Sequence, residues 1–298
     1  MVLKEIESKE HEINTLKKLF DESQSEKQKA LIAKDLKTLE KGYLAEKENA
    51  WYLDFYFKDK DRFVLLHDIR IVHNGTSAQI DHLLVAPIGI TILESKSTTG
   101  LLTINNDNSI SVKYSKNIKT FPNPLEQNNR HQKVLSDFLN NTFDVSARFK
   151  LMGGIYIEHK VLIHPETTVT NKNLPEGFER SDSFATKRNE EIDKMSPAKV
   201  LLRGVTLMSK EMVRELAKHI AKAHKPVKFD YTQKYKISQP KPEEEILDTI
   251  LEERPCPRCD EGTLVKRKRK SKKFGTQYES DEFLGCSNYP KCRYTEEL

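Results

Sequence analysis

Two acidic residues and a lysine within one short stretch are the residues of this sequence best spaced for chemistry. The stretch is residues 79–96, QIDHLLVAPIGITILESK, and it contains Asp81, Glu94 and Lys96. Two carboxylates on one face of a hairpin repel each other, and a lysine or a divalent cation would relieve that repulsion. The pattern therefore predicts a site for a hard cation beside a lysine. The alternative is a solvated hairpin in which Lys96 simply forms a salt bridge with either acid.

A tight reversal of the chain is needed to bring these side chains together. Apolar and polar residues alternate on both sides of residues 86–89, as they do in two β-strands. Pro87 suits the second position of a four-residue turn, and Gly89 suits the last. In that register Asp81 faces Glu94 across a hairpin, whereas a one-residue bulge would separate the two acids.

A glutamate interrupts the apolar stripe of the helix that precedes this hairpin. That helix is predicted from about Ser25 to about Tyr56, and on it Glu46 shares a face with Ala50 and Leu53. A lone buried glutamate is rare. Two interpretations are equally supported: Glu46 reaches water at the edge of the stripe, or it faces the acidic pair and helps to hold a cation.

A glutamine occupies a comparable position in the helix that follows the hairpin. Asn123 can cap that helix and Pro124 suits its first turn, so we expect the helix to run to about Leu139. Gln127 lies one turn into the helix, at the start of its inward face. It is either an ordinary polar residue at the edge of the core or a residue that positions water or a phosphate, and the sequence does not separate the two.

The composition is that of a polar, weakly basic chain. It has 298 residues, of which 37% are hydrophobic and 32% charged, and its formal net charge is +5. This length allows one substantial core with an appendage. No apolar run approaches the roughly 20 residues of a membrane span, and the first residues, MVLKEIESKEHE, lack the apolar core of a signal peptide. We therefore expect a cytoplasmic protein without a membrane partner.

Changes in composition divide the chain into four segments. The beginning is charged and contains neither Pro nor Gly, which is typical of a helix. Its narrow apolar seam would allow a homo-oligomer, although a solvated helix is better supported. A polar, Pro-containing stretch after the main domain is typical of a linker. The predicted segments are a helical extension at 1–40, an α/β domain at 41–226, a linker with a short acidic helix at 227–253 and a cysteine-containing module at 254–298.

Within the α/β domain, strands are predicted at 63–72, 155–163 and 199–208 in addition to the two arms of the hairpin. A further helix is predicted from about Ser209 to His224. The alternation of helices and strands predicts a mixed sheet flanked by helices. Three histidines in or near the strands lack the paired spacing of a metal site and are interpreted as structural or solvent-facing. They are His67, His73 and His82.

The four cysteines form two pairs near the end of the sequence, Cys256 with Cys259 and Cys286 with Cys292. Four thiolates favour tetrahedral Zn²⁺, and because protein would fill all four positions, the metal is expected to be structural. A module of about 45 residues buries too little surface to fold without such a metal. The less supported alternative is four unrelated cysteines in a reducing compartment.

Seven basic residues cluster between the cysteine pairs, with aromatic residues on both sides. Basic side chains bind phosphates and exposed aromatic rings stack on unpaired bases, so the segment is predicted to bind DNA, including single-stranded or branched DNA. A protein-binding ribbon with a solvated basic strand is the alternative. The basic residues are Lys266, Arg267, Lys268, Arg269, Lys270, Lys272 and Lys273.

Two parts of the chain resemble known families. The run FLGCSNYPKCRYTEEL, with the preceding CPRC, resembles the zinc ribbon at the C-termini of type IA DNA topoisomerases. The motifs GYLAE, QIDHLLVAPIGITILESKSTTG and NPLEQ, all within residues 42–139, resemble the NERD, or nuclease-related, domain. That domain is similar to the PD-(D/E)xK nuclease superfamily, which implies a restriction-endonuclease-like mixed sheet. Ala45 and Ser95 depart from the usual residues, but neither change removes a functional group.

The resemblance implies a metal-dependent deoxyribonuclease acting in DNA processing, repair or defence. By position, Asp81 and Glu94 match the acidic pair of the superfamily and would bind one or two Mg²⁺ or Mn²⁺ ions, together with a carbonyl near Ser95. Lys96 matches its lysine and would steady the attacking water. The other catalytic candidates carried over from the helices are Glu46 and Gln127.

Two other functions remain open at this stage. One is a non-catalytic DNA-binding or adaptor protein that has kept the nuclease fold. It would bind DNA with a steep salt dependence and leave the DNA intact. The other is a protein-interaction scaffold, which would have no affinity for DNA once the basic run is neutralised.

Overall fold

The chain divides into two compact units, Met1–Ile237 and Ser238–Leu298. A computed structural model describes residues 1–115, 117–151, 153–194, 207–227, 229–235, 254–259, 261–268 and 282–297. Three predictions therefore fall wholly or mainly outside the described residues: the strand at 199–208, the acidic helix of the linker, and the part of the basic run that comprises Arg269, Lys270, Lys272 and Lys273.

The first unit alternates helices and strands. In chain order its elements are β1 (Val2–Lys4), α1 (Glu10–Glu22), α2 (Glu26–Phe57), β2 (Val64–His73), β3 (Thr76–Ala86), β4 (Gly89–Lys96), β5 (Leu101–Ile104), β6 (Ile110–Tyr114), β7 (Asn117–Phe121), α3 (Pro124–Thr142), α4 (Ala147–Leu151), β8 (Ile157–Ile163), β9 (Phe178–Arg180), α5 (Ser181–Asp193), α6 (Lys210–Lys222) and α7 (Tyr231–Tyr235). Within the described part of the chain, no helix is both long and apolar enough to cross a bilayer.

Six of these strands form one mixed sheet in the order β1-β2-β3-β4-β8-β9. Strands β2, β3 and β4 are antiparallel, whereas β1, β8 and β9 each run parallel to their neighbour. The predicted α/β fold with a mixed sheet is confirmed. Strands β5, β6 and β7 form a second, antiparallel sheet inserted between β4 and α3.

Helices cover both faces of the large sheet because its strands are apolar on both faces. On one face, side chains of α3 and α6 such as Leu135 and Leu216 join a core with Leu83 and Ile92. On the other face, α2 and α5 contribute side chains such as Leu53 and Phe184 to a second core. The hairpin β3–β4 thus lies between two apolar layers, and only the ends of its strands can present polar groups to water.

The turn between β3 and β4 has the predicted register. Ala86 pairs with Gly89, and the pairing continues to His82 opposite Leu93 without a bulge. Gly89 has φ 137°, and a Cβ built there would lie 2.2 Å from the carbonyl oxygen of Tyr156. The glycine is therefore required both by the turn and by the close approach of the chain that enters β8.

The predicted helices that flank the hairpin are confirmed at their beginnings. The Ser25 side chain caps α2 by accepting from the amide of Gln28, and the Asn123 side chain caps α3 by accepting from the amide of Leu125. Likewise, the Ser209 side chain caps α6. These are local side-chain to backbone bonds, which is why the sequence alone could locate them.

The beginning of the chain differs from the prediction. Val2–Lys4 forms β1, an edge strand parallel to β2, where a helix had been expected over all of residues 2–40. Helix α1 buries Leu16 and Leu19 against α2 and α7, while Phe20 of the predicted seam is 36% exposed. The extension is thus packed into the first unit because strand pairing and tertiary contacts overrode the local helical pattern.

The second unit contains a three-stranded antiparallel sheet in its described part, formed by β10 (Leu264–Lys268), β11 (Glu282–Cys286) and β12 (Thr295–Glu297). Cys286 ends the central strand and pairs with Leu264. Cys256, Cys286 and Cys292 form the buried centre of the described part of this unit, and the partly buried Cys259, Leu264 and Tyr294 pack against them.

Candidate active site and zinc ribbon

Glu94 is the centre of the candidate active site. Its carboxylate is 4% exposed at the end of β4. Lys96 Nζ lies 2.5 Å from Glu94 Oε1, and the Gln127 side-chain amide donates to both carboxylate oxygens at 3.2 Å. The structure therefore brings together three of the predicted residues, two from one strand and one from α3.

Asp81 joins this group through the backbone of β4. Its Oδ2 accepts a hydrogen bond of 2.8 Å from the amide of Ser95. Burial and the nearby charges of Glu94 and Glu46 raise the pKa of Asp81 well above its usual range. Asp81 is thus held close to a second carboxylate that disfavours its ionisation, in the hairpin register that was predicted.

Glu46 approaches the site from α2 as the third carboxylate. Burial and the charges of Asp68 and Glu94 raise its pKa to about 7, although Lys9 and Lys96 act in the opposite direction. Because the charges of Glu46, Asp81 and Glu94 influence one another's surroundings, the interpretation in which Glu46 faces the acidic pair is the better supported of the two.

Asp68 is a fourth acid near these carboxylates, and it was not among the residues predicted from the sequence. It is 5% exposed and has φ 51°, and its side chain accepts from Gln79 at 2.5 Å. It also forms an ion pair of 3.3 Å with Lys9, which immediately precedes α1. The available signal was an aspartate inside the otherwise apolar predicted strand 63–72.

Lys96 is a charged lysine in a partly enclosed position. Burial alone would lower its pKa, but the charges of Glu94 and Asp81 outweigh that effect and raise the pKa above its usual value. A lysine that stays protonated is suited to stabilising negative charge on a phosphate or on an attacking water. It is not suited to act as a general base.

Two histidines form a buried hydrogen-bonded chain beneath the site. His67 and His82 face each other through their Nδ1 atoms at 2.8 Å. The outer nitrogens lie 3.0 Å from Asp54 Oδ1 and 2.8 Å from Ser95 Oγ, respectively. Burial and the charge of His67 lower the pKa of His82 well below its usual value, which keeps its ring neutral. This geometry fits the interpretation of His67 and His82 as structural residues. Their hydrogen-bonded chain also holds the side chain of Ser95, which lies between the site residues Glu94 and Lys96.

The chemistry of the acidic donors fits a hard cation. Oxygen ligands suit Mg²⁺ and Mn²⁺, and a dication would relieve the like-charge crowding that raises the pKa values of Asp81 and Glu46. Within the described residues, only the cysteines place three or more side-chain ligand atoms within 4.8 Å of one another. The acidic site therefore has the right donor type but not a closed set of side-chain ligands.

The four cysteines have the geometry of a zinc site. Their sulfur atoms all lie within 4.8 Å of one another, with Cys256 to Cys292 at 3.8 Å and Cys259 to Cys286 at 3.6 Å. Tetrahedral Zn²⁺ with Zn–S bonds of about 2.3 Å places sulfurs about 3.8 Å apart. The predicted structural zinc site is supported on two independent distances.

The basic strand β10 belongs partly to the ribbon's own structure. Arg267 donates to the carbonyl of Cys286 at 3.1 Å, and its guanidinium lies 5.6 Å from the centre of the Tyr289 ring. Lys266 pairs with Glu282 at 2.6 Å and is about half exposed. Lys268 ends the strand. Of the predicted DNA-binding residues that the structure describes, Arg267 therefore also has a structural role.

Comparison with known families gives one match within each unit. Residues 41–164 match the family described as nuclease-related domain, NERD, and residues 253–298 match the family described as topoisomerase DNA binding C4 zinc finger. The chain therefore contains a nuclease-related domain and a topoisomerase-type zinc ribbon, and both predicted resemblances are confirmed. Neither the curated proteins nor the solved structures gave a significant match.

Proposed function

We propose that the protein is a metal-dependent DNA hydrolase whose zinc ribbon delivers the DNA. The observation that carries the proposal is the convergence of Glu94, Lys96 and Gln127 in direct contact, with Asp81 joined to them through the amide of Ser95. A merely structural salt bridge would need neither the second buried carboxylate nor the glutamine.

In this proposal Asp81 and Glu94, with a backbone carbonyl near Ser95 and with Glu46, hold Mg²⁺ or Mn²⁺. The cation would polarise the scissile phosphate and lower the pKa of a bound water. Lys96 then stabilises the charge that develops on the phosphate, and Gln127 fixes Glu94 and orients water or phosphate. DNA processing, repair or defence in the cytoplasm is the corresponding biological setting.

The direct test is incubation of the purified protein with plasmid and single-stranded DNA in Mg²⁺ or Mn²⁺. Cleavage is expected to fall at least 100-fold in Asp81→Ala and Glu94→Ala, and about 100-fold in Lys96→Ala. Asp144→Ala is a matched control, since that side chain is 93% exposed. Cleavage that survives Asp81→Ala would refute the proposed site.

A non-catalytic DNA-binding protein is the second candidate, favoured by the confirmed zinc ribbon. It predicts that wild-type protein binds DNA with a steep salt dependence but leaves it intact in both metals. It also predicts that Lys96→Ala binds as the wild type does. The same preparations therefore decide between the two candidates.

A further inference from the structure

A cavity of about 360 Å³ adjoins the candidate active site. Its lining includes Lys96 and Gln127 of that site and also Arg130, one turn further along α3. Its other wall is formed by the inserted sheet β5–β7, through residues such as Val112 and Phe121. The volume is in the range of small-molecule sites, about 300–1,000 Å³.

The wall from the inserted sheet is apolar and aromatic. Val112 is fully buried, whereas Tyr114 is 39% exposed, so its ring is available to a ligand. The Tyr114 hydroxyl lies 2.9 Å from Thr98 Oγ1, which fixes the orientation of the ring. Lys119 Nζ lies 4.5 Å from the centre of the Phe121 ring. A flat, apolar ligand would find an oriented aromatic surface here.

The charged groups at this cavity are cationic. Lys96 and Arg130 line it, Lys119 stands over one of its rings, and none of the described residues that line it is acidic. The side chain of Arg130, on α3, makes no hydrogen bond or ion pair with another described residue. Although Lys96 is paired with Glu94, the side chain of Arg130 remains available, and an aromatic surface next to such a cation matches a nucleotide, whose base is flat and apolar on its faces and whose phosphates are anionic.

We propose that this cavity binds one unpaired nucleobase next to the scissile phosphate, with Tyr114 and Phe121 contacting the base and Arg130 the adjoining phosphate. A base within an intact duplex is stacked and paired, so it would have to leave the helix to enter. The substrate class is therefore DNA with single-stranded or frayed segments rather than intact duplex. This inference rests on the proposed nuclease function, since the scissile phosphate is placed at Lys96.

The test measures binding without added Mg²⁺ or Mn²⁺, so that it does not depend on cleavage. The probes are a fluorescent single-stranded oligonucleotide, the same strand in a duplex, and a series of strands with one abasic position moved along the sequence. Wild-type protein is expected to bind the intact strand about tenfold more tightly than the strand that is abasic at one position.

The variants Tyr114→Ala and Phe121→Ala are expected to weaken binding of the intact strand about tenfold and to leave binding of that abasic strand unchanged. Tyr114→Phe keeps the ring but loses the hydroxyl bond to Thr98, so it is expected to weaken binding of the intact strand much less than Tyr114→Ala does. Ile118→Ala on β7 is the matched control, since Ile118 is 69% exposed and does not line the cavity. Thermal unfolding establishes that each variant is folded. The abasic series uses only wild-type protein, so it tests the proposal even if a variant fails to fold.

Equal affinity for every abasic strand, or equal losses for intact and abasic strands in Tyr114→Ala, would overturn the proposal. Failure of the nucleobase site and failure of the proposed nuclease function would give different results. Base-dependent binding without cleavage in either metal would refute catalysis and leave the nucleobase site. Cleavage that depends on Asp81 but proceeds equally on intact, abasic and duplex DNA would refute the nucleobase site and leave catalysis.

Discussion

The backbone amide of Ser95 donates a 2.8 Å hydrogen bond to the side chain of Asp81. This bond joins the two strands of the hairpin at the point where their side chains become charged. It supports one carboxylate oxygen of Asp81 but does not offset its burial or the repulsion from Glu94 and Glu46, which together raise the pKa of Asp81. Asp81 therefore destabilises the fold in its ionised form.

Replacing Asp81 by Asn is expected to abolish cleavage and to stabilise the protein. The amide keeps an oxygen for the Ser95 amide and removes a buried charge, so the free energy of unfolding should rise by on the order of 1 kcal/mol at pH 8 without added Mg²⁺ or Mn²⁺. Urea denaturation measures the change. In the wild type Mg²⁺ or Mn²⁺ should raise stability, and in Asp81→Asn this increase should be lost. A less stable variant would contradict the crowding of charge inferred here.

Stability should depend on pH through Glu46. Its pKa is about 7 in the folded protein against an ordinary value of 4.5, so the native state binds more protons than the unfolded state between these values. Stability is therefore expected to increase as pH falls from 8 to about 5, by on the order of 3 kcal/mol at most. The raised pKa of Asp81 likewise makes the folded protein more stable as the pH falls.

The measurement is the urea midpoint at pH 5 to 8, with zinc bound and no other divalent ion. Glu46→Gln should flatten this dependence. Glu22→Gln is the control, since Glu22 lies at the end of α1 and is exposed. A wild-type stability that falls on acidification over this range, or an unchanged slope in Glu46→Gln, would count against the position assigned to Glu46.

The buried histidine chain should behave as one unit. His82→Ala leaves His67 without its 2.8 Å partner and opens a cavity, so we expect a loss of about 3 kcal/mol. Ser95→Ala removes one hydrogen bond at the end of the chain and should cost about 1 kcal/mol. Because both belong to one network, the double variant should lose less than the sum. Strict additivity in a double-mutant cycle would show that the two bonds are independent.

Variants of Lys266 and Arg267, both on β10, should separate DNA binding from the stability of the ribbon. Lys266→Ala removes an exposed ion pair, so zinc content and stability should be unchanged within about 1 kcal/mol. If Lys266 contacts a phosphate, the slope of log affinity against log salt should become about 0.9 less steep. Arg267→Ala, in contrast, should destabilise the ribbon, because it removes the hydrogen bond to the carbonyl of Cys286 and the contact with the Tyr289 ring.

Zinc stoichiometry and DNA binding at several salt concentrations measure both effects. Cys259→Ser is the reference for loss of the metal site. If Arg267→Ala retained zinc and stability as fully as Lys266→Ala, its structural role would be refuted.

The sequence alone determined those features that depend on neighbouring residues. Pro87 and Gly89 specify the turn, and alternation on both sides sets the register that places Asp81 near Glu94 and Lys96. Side-chain caps mark where α2, α3 and α6 begin, and the spacing of the cysteines specifies the zinc site. Each of these signals acts over a few residues, or through a ligand set whose chemistry admits few metals.

Only the tertiary structure decided the contacts between residues far apart in the chain. Gln127 reaches Glu94 because β4 and α3 pack together after the inserted sheet, and Asp68 joins the acids because β2 lies beside β3. The pairing of β1 with β2 and the ion pair of Lys9 with Asp68 likewise bring in a segment whose local pattern predicted a helix. Periodicity tells which face of an element is buried, but which partner buries it depends on the free energy of packing the whole chain.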